Sequence, residues 1–588
     1  VSGAWGSSHA PARAWRAGAW SLELRDDELA DIAYDGVVLL RAVRAVVRDR
    51  NWDTAATLVD AVGETDTELE LHVRSAGFGS SFTGIVRVAA AARELVVECD
   101  LRSADDFETN RTGLVVLHPP SLAGTDLEVT TASGRERSRF PEAISPHQPV
   151  LDIAGLAWQQ AGLDVRLDLE GDVFEMEDQR NWTDASFKTY SRPLALPFPY
   201  PIAAGEHVRQ TFRLTVQGAR AEPSAPPAVD RIELCASGVP FPRIGTSASA
   251  APDPAPPGAD AAGPLLLELD LATANWRAAL DRAARAGSEL DVRFVLDGEH
   301  PDALNDAASA LAGLPVLRVT AFQADGEARH VSDRPAIDGL RAALRDAGVD
   351  ARVVGGARSH FTQLNREHHR LPDDLAGVVF SITPLFHSLS TEQLVESVAV
   401  QRLVAEQAVV LADGAPVHIG PVTLRPHLND VATTPPPMPE HDDLRAGYGV
   451  QLLDADDPRQ SSPELAAWTV ASAAALAVPG VATLSYFEEW GPRGIRSADG
   501  VDLPVAAAIE ALRGLEGGEL LTGGSPDGLV WAVGVRRGGV DELLVANLDR
   551  RARSVVVSTP QGETAVTLDA CAFVRPVRPP QPAEDRPA

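Results

Sequence analysis

With 588 residues the chain is too long for a single hydrophobic core, so two to four domains are expected. Acidic residues outnumber basic ones 83 to 52, and the net charge of −31 argues against a nucleic-acid or anionic-membrane surface, because phosphates would be repelled. Nearly all the basic residues are Arg; Lys188 is the one lysine. Cys99, Cys235 and Cys571 lie far apart without a CxxC pair, each in an apolar strand-like run, which suggests buried free thiols rather than a disulfide frame or a metal site. The opening VSGAWGSSHAPARAW has no apolar leader core, and no run approaches the roughly 18 apolar residues of a membrane span. A soluble, cytoplasmic protein is expected.

From Trp20 to about Thr215 the pattern alternates with period two in short runs such as SLELR, TELELHVRS, RELVVECDLR and LDVRLDLEGDV. That predicts an antiparallel β-sandwich over residues 14–218. Two polar knots interrupt it. In FETNRTGLVVLHPPS, Asn110 and Arg111 precede a strand ending at His118. GDVFEMEDQRNWTDASFKTYSRPL gathers Glu175, Glu177, Asp178, Arg180, Asn181, Trp182, Asp184 and Lys188. Carboxylates, Asn, Arg, Lys and aromatic rings together suit a polyol, since carboxylates accept hydroxyl protons and rings stack on C–H faces. A solvated loop of mixed charge is the bland alternative.

Residues 219–263 are rich in Pro and Ala and read as a linker holding one short strand, RIELCAS. Apolar strands and amphipathic helices then alternate over 264–515. LLLELDL, LDVRFVLD, PVLRVTAF, DARVVGG, GVVFSITP, PVHIGPVTL and VATLSYFEEW are the strands, and Ser390 with Gln393 caps a long helix running to about Leu411. Repetition over about 250 residues without a GxGxxG or Walker motif fits a (β/α)8 barrel. Short strands return over 516–580 as a small β-domain, and 581–588 is expected to be a disordered tail.

A barrel strand is covered on both faces, so its chemistry lies at its carboxyl end. The strand ending SYFEEWGPRG brings Glu488, Glu489, Trp490 and Arg493 there, and the apolar run before Glu488 is expected to raise its pKa by desolvation. ARSHFTQLNRE brings His360, Gln363, Asn365, Arg366 and Glu367. GVVFSITP leads to His387, and PVHIGPVTL to Arg425, His427 and Asn429. No HExxH or similar spacing is present, so no metal and no cofactor are expected.

FETNRTGLVVLHP, ISPHQP, FEMEDQRNWTDASFKTYSRPL, FTQLNR, the His387 region, GPVTLRPHLN, DPRQ at Asp457 to Gln460 and SYFEEWGPRG together resemble the D-apionate lactonase family. PLFHSLS, RPHLN and EEWGPRG depart from that pattern. The resemblance implies a sandwich, similar to the sugar-binding fold of aldose mutarotases, followed by a central TIM-type barrel and a terminal β-domain. The implied activity is hydrolysis of a branched sugar-acid lactone in carbohydrate catabolism. A TIM-barrel glycoside hydrolase with two carboxylates is the alternative, and a non-catalytic carbohydrate-binding protein the third reading. Glu488 is the expected base or nucleophile, with Glu367 or a carboxylate of the Glu175 to Asp184 loop as partner. Asn365, His387, Arg425, Trp490, Arg493, Glu177, Asp178, Arg180, Asn181 and Lys188 are the expected substrate-binding residues. The expected partner is a small carbohydrate or sugar lactone, with no nucleic acid or membrane, in a possible homo-oligomer.

Overall fold

A computed structural model describes Trp5 and residues 12–221, 230–257, 263–434, 438–449 and 455–576. The expected tail at 581–588 lies outside the described residues, as does part of the expected linker. The chain forms two compact units: Ser7–Ala225 with Asn429–Pro436, and Val1–Gly6, Pro226–Leu428 and Pro437–Ala588.

The first unit carries an eight-stranded and a nine-stranded sheet, and the strand pairs within both are antiparallel. Alternation decides its core. In Arg111–His118, Leu114, Val116 and His118 point inward and are buried, joining Trp15, Trp20, Phe82, Phe140 and Phe212.

In the second unit, eight parallel staves close a barrel. Arg243–Ser247 is strand 1, pairing with strand 2 (Leu265–Asp270) on one side and strand 8 (Val481–Glu488) on the other. Strand 3 (Leu290–Val295) and strand 4 (Val316–Phe322) follow, then strand 5 in two pieces, Arg352–Val353 and Gly355–His360. Strands 6 (Val378–Ile382) and 7 (Val417–Val422) complete the ring. At the break in strand 5 the Val354 N–H still donates to the Val319 carbonyl at 3.0 Å, and the Gly355 N–H to Gly377 at 3.1 Å. Gly356 is obligatory there: its φ is +155°, and a Cβ would stand 2.0 Å from the Val379 carbonyl oxygen.

The helices form where their end signals stand. Asp333 caps Arg334–Ala347, with left-handed Gly348 (φ +67°) closing it, and the Ser390 hydroxyl accepts from the Gln393 N–H at 3.1 Å to start Thr391–Leu411. No helix among the described residues is long and apolar enough to cross a membrane.

The linker expectation needs correction. Residues 219–263 contain strand 1 of the barrel as well as Asp230–Glu233 and Cys235–Pro240, which join the two carboxyl-terminal sheets and place Ile232 and Leu234 in their core. Pro/Ala-rich composition on both sides hides three short strands, each with a partner more than two hundred residues away. Cys99 is buried as expected, but Cys235 is exposed because its strand is a sheet edge.

Candidate active site

The barrel lumen is charged at depth. Asp291 Oδ2 accepts from Arg318 Nε at 2.7 Å, Arg318 Nη1 reaches Thr483 Oγ1 at 3.3 Å, and His418 Nδ1 meets the same hydroxyl at 3.1 Å. Burial, reinforced by Arg318, pushes the His418 imidazole down to about 3. One level up, buried Arg293 donates to the Gly420 carbonyl at 2.5 Å. These groups are enclosed and hold the staves in register.

Above them three strand ends converge. Arg358, on strand 5, donates to Oε1 of Glu268, on strand 2, through Nε at 3.0 Å and Nη2 at 2.8 Å. His427, beyond strand 7, brings Nε2 to 3.8 Å from the other oxygen. Burial alone would raise the Glu268 carboxyl; Arg358 and His427 reverse this and hold it well below the usual carboxylate range. The Glu268 and His427 side chains keep 21% and 16% of their surface, whereas Arg358 and the His427 Nε2 are buried. On the same strand as Glu268, burial raises the Asp270 carboxyl, and the Asp270 N–H donates to the Tyr448 hydroxyl at 2.7 Å.

Strand 8 ends in a distortion. Phe487 has φ +51°, left-handed for an aromatic residue, and breaks the alternation of the strand. Tyr486 bonds the Ser472 hydroxyl on the helix Glu464–Leu476 at 2.9 Å, and the Phe487 ring lies 6.5 Å from that of Trp468 on the same helix. Both aromatics are thereby buried, and the two carboxylates fall at the strand end. Glu488 accepts from Arg493 Nε at 2.8 Å and from the Ala250 N–H at 3.1 Å. Its neighbour Glu489 accepts a long bond, 3.4 Å from the Ser249 N–H, and its Oε2 is buried without a hydrogen-bond partner among the described residues. Burial, with Glu488 adding to it, pushes the Glu489 carboxyl up to about 7.

The loops above the mouth are pinned by the DPRQ segment. Asp457 accepts from Arg425 Nε at 3.0 Å and from Arg459 through Nε and Nη2, both at 2.8 Å, while Arg459 Nη2 also donates to the Leu389 carbonyl at 2.9 Å. Gln460 Nε2 donates to the Gly494 carbonyl at 2.9 Å. Arg425 thus stands on the segment that carries His427. His387, half-buried after strand 6, packs edge-on against Phe386 at 4.9 Å, and Phe386 against His360 at 4.8 Å.

Other expected residues lie elsewhere. Strand 5 runs on through His360, so FTQLNRE is the helix Phe361–Glu367 rather than a mouth loop. Glu367 ends that helix about 9 Å along it from the strand, ion-paired with Arg370 at 2.6 Å, and does not join Glu488 as a catalytic pair. Asn365 is buried and accepts from Gln407 Nε2, on the next helix, at 3.2 Å. Trp490 is 1% exposed with the Arg282 guanidinium 5.3 Å over its ring, so it offers no face to a sugar.

In the sandwich unit, Asp178 caps the turn Gln179–Trp182 and is buried with Arg180, which donates to it from Nε at 2.8 Å and Nη2 at 2.7 Å. Arg180 also donates to the carbonyls of Pro141 (2.8 Å), Glu142 (3.1 Å) and Ala143 (3.2 Å), and Asn181 donates to the Ser145 carbonyl. These three brace the 141–145 segment, with their polar atoms bonded within the protein. Glu177 accepts from Trp182 Nε1 at 3.0 Å and pairs with Lys188, on the sheet face turned away from the core. Among the described residues no cluster of His, Cys, Asp or Glu has the arrangement of a metal site.

Glu268 and Arg358 were missed by sequence reasoning. Glu268 lies in LLLELDL, where two carboxylates, Glu268 and Asp270, in an otherwise apolar barrel strand were a signal available to find it.

Residues 3–219 match the family described as the N-terminal domain of D-apionate lactonase, and residues 249–517 match its TIM barrel domain. A D-apionate lactonase of Brucella anthropi is 29% identical over 553 residues, covering 85% of this chain and 87% of that protein. Among solved structures, a GH30 endoxylanase from Clostridium papyrosolvens C71 aligns at 8% identity over 58% of this chain and 98% of its own, with a TM-score of 0.39. A putative aldose 1-epimerase from Escherichia coli K12 aligns at 13% identity over 36% of this chain and 99% of its own, with a TM-score of 0.26. Scores this low add nothing to the fold argument, whereas the two domain matches and the full-length relative agree in order and extent. The chain is a member of the D-apionate lactonase family, a sugar lactonase in hydrolase architecture.

Proposed function

We propose that this protein hydrolyses an aldonolactone of the apionolactone type at the mouth of its barrel. The observation that carries the reading is the convergence of Glu268, Arg358 and His427 from three strand ends, in a chain of this family. Lactone opening needs a base to direct water at the carbonyl, positive charge for the oxyanion, and a proton for the departing ring oxygen. His427 takes the proton from the attacking water, and the ionised Glu268 carboxylate stabilises the imidazolium that forms. Arg358 and Arg425, each oriented by a carboxylate, face the developing oxyanion. As the ring C–O bond breaks, His427 returns the proton to the leaving oxygen, giving a hydroxy acid. Glu488, fixed by Arg493, accepts a substrate hydroxyl, and His387 borders the same mouth.

A panel of aldonolactones including apionolactone, followed by proton release, tests this. His427→Asn and Glu268→Gln are expected to lower kcat by about 10²- to 10⁴-fold. If both variants keep their turnover and Glu488→Gln loses it, Glu488 is the reacting carboxylate and the assignment falls.

One observation favours a second reading. Glu268 and Glu488 end strands that flank strand 1, so two carboxylates crown the same barrel, the pair that glycoside hydrolysis requires. Cleavage of aryl glycosides, and no lactone opening, would select it.

A further inference from the structure

The sandwich unit holds a buried cation that nothing in the proposed lactone chemistry uses. Arg111 opens the strand Arg111–His118, on the face turned away from the core, opposite Arg48. It is 4% exposed. Its guanidinium lies over three rings, 5.0 Å from Trp52, 5.5 Å from Phe198 and 5.9 Å from Tyr190. Nη1 donates to the Asn110 carbonyl, whereas Nε and Nη2 are buried without a hydrogen-bond partner among the described residues. Burial pushes this guanidinium below its ordinary value.

The Nε and Nη2 hydrogens lie side by side along one edge of a guanidinium. Elsewhere in the same unit that edge grips a carboxylate: Arg44 holds Asp27 through Nε at 3.2 Å and Nη2 at 2.9 Å, and Arg180 holds Asp178 in the same way. In Arg111 the same fork has no protein partner among the described residues. An arginine so enclosed, with two donors unmet, is a costly arrangement unless a ligand completes it.

The surroundings select the ligand. Glu175, which accepts from the Tyr190 hydroxyl and from the Leu194 N–H at 2.8 Å, and Glu177 with Lys188 share this sheet face by register. Two carboxylates nearby disfavour a dianionic phosphate but accept hydroxyl protons, so a singly charged, polyhydroxylated acid fits. The cover is aromatic. Trp52 and Phe198 meet edge to face at 5.3 Å, Phe198 is 40% exposed, and Trp52 is held at φ +69°, a strained conformation for a bulky residue.

We propose that Arg111, walled by Trp52, Tyr190 and Phe198, is a binding site for the carboxylate of an open-chain sugar acid, distinct from the barrel chemistry. The hydroxy acid released by lactone opening belongs to this class; that link rests on the preceding reading, while the site itself does not.

The experiment is calorimetric titration of the full chain with sodium gluconate, an open acid with no bond to hydrolyse, followed in parallel by tryptophan fluorescence. Glucose and inorganic phosphate are the controls. Gluconate is expected to bind and to perturb the fluorescence, with glucose and phosphate at least about tenfold weaker. Arg111→Lys keeps the charge and removes the fork, and is expected to weaken gluconate by about 10- to 100-fold. Phe198→Ala, at an exposed position that folding tolerates, is expected to weaken it too. Absence of gluconate binding, binding unchanged in Arg111→Lys, or phosphate binding as tight as gluconate would each overturn the proposal. Glu268→Gln separates the two readings, since it is expected to lower turnover by about 10²- to 10⁴-fold and leave the Arg111-dependent binding intact.

Discussion

Two adjacent glutamates at the end of strand 8 show how far one residue's surroundings outweigh its type. Glu488 has a guanidinium at 2.8 Å; Glu489 has a weak amide contact and an oxygen with no hydrogen-bond partner among the described residues. Burial raises the Glu489 carboxyl from 4.5 to about 7. A raised carboxyl keeps its proton in the folded chain after the unfolded chain has lost it. Stability therefore falls as pH rises from about 4.5 to about 7 and is level above that. Glu489→Gln keeps the neutral shape, so it is expected to raise Tm at pH 8, by the equivalent of up to about 3 kcal/mol at roughly 1.4 kcal/mol per pH unit, and to change little at pH 5. Thermal unfolding at the two pH values checks this; equal shifts would mean that the carboxylate is solvated. The pairing and the orphan could not be read from EEW, because Arg493 and Ser249 are placed by turns and by a strand more than two hundred residues earlier.

At the scale of one element, strand 8 pays for its aromatic anchor with a left-handed residue. The Phe487 ring is fully buried near Trp468, so truncation to Ala is expected to cost about 3–5 kcal/mol. Phe487→Gly makes nearly the same cavity but relieves the backbone, because φ +51° costs a Cβ-bearing residue about 1–2 kcal/mol. Gly is thus expected to be the milder substitution by about 1 kcal/mol, the reverse of the order in an ordinary strand, where Gly is worse than Ala by roughly 0.5–1 kcal/mol. Urea unfolding midpoints of the two variants decide it. The element itself was legible in VATLSYFEEW; the break at its end was not, because nothing in the residue types announces a positive φ at Phe.

Across the barrel unit, the helix Glu464–Leu476 is the joint. Residues Leu465 through Leu476 are all buried, and the helix packs on Thr391–Leu411, on Pro504–Arg513, and on the strands Val530–Arg537 and Val540–Asn547 of the terminal sheet. A chain ending at Gly517 keeps all eight barrel strands but uncovers one face of an apolar helix and leaves Asp230–Glu233 and Cys235–Pro240 without partners. It is expected to aggregate on expression. A soluble monomer by size-exclusion chromatography would show that the barrel stands without the terminal sheets.

Local pattern by itself determined the architecture: period-two runs for the sandwich, strand–helix alternation for the barrel, and the cap at Ser390, all of which depend on neighbours a few residues away. It also located Glu488, Arg493, His387 and Arg425 in the loops and strand ends that crown the barrel. What only the tertiary structure decided is which polar groups meet. Glu268, Arg358 and His427 come from segments about 70 to 160 residues apart and converge because parallel staves carry their ends to one mouth. Glu367, Asn365 and Trp490 left the expected site for the opposite reason: one more turn of helix, or one ring turned under Arg282, moves a side chain from the mouth to the flank. Spacing along the chain sets the element; only closure of the barrel sets the neighbour across it.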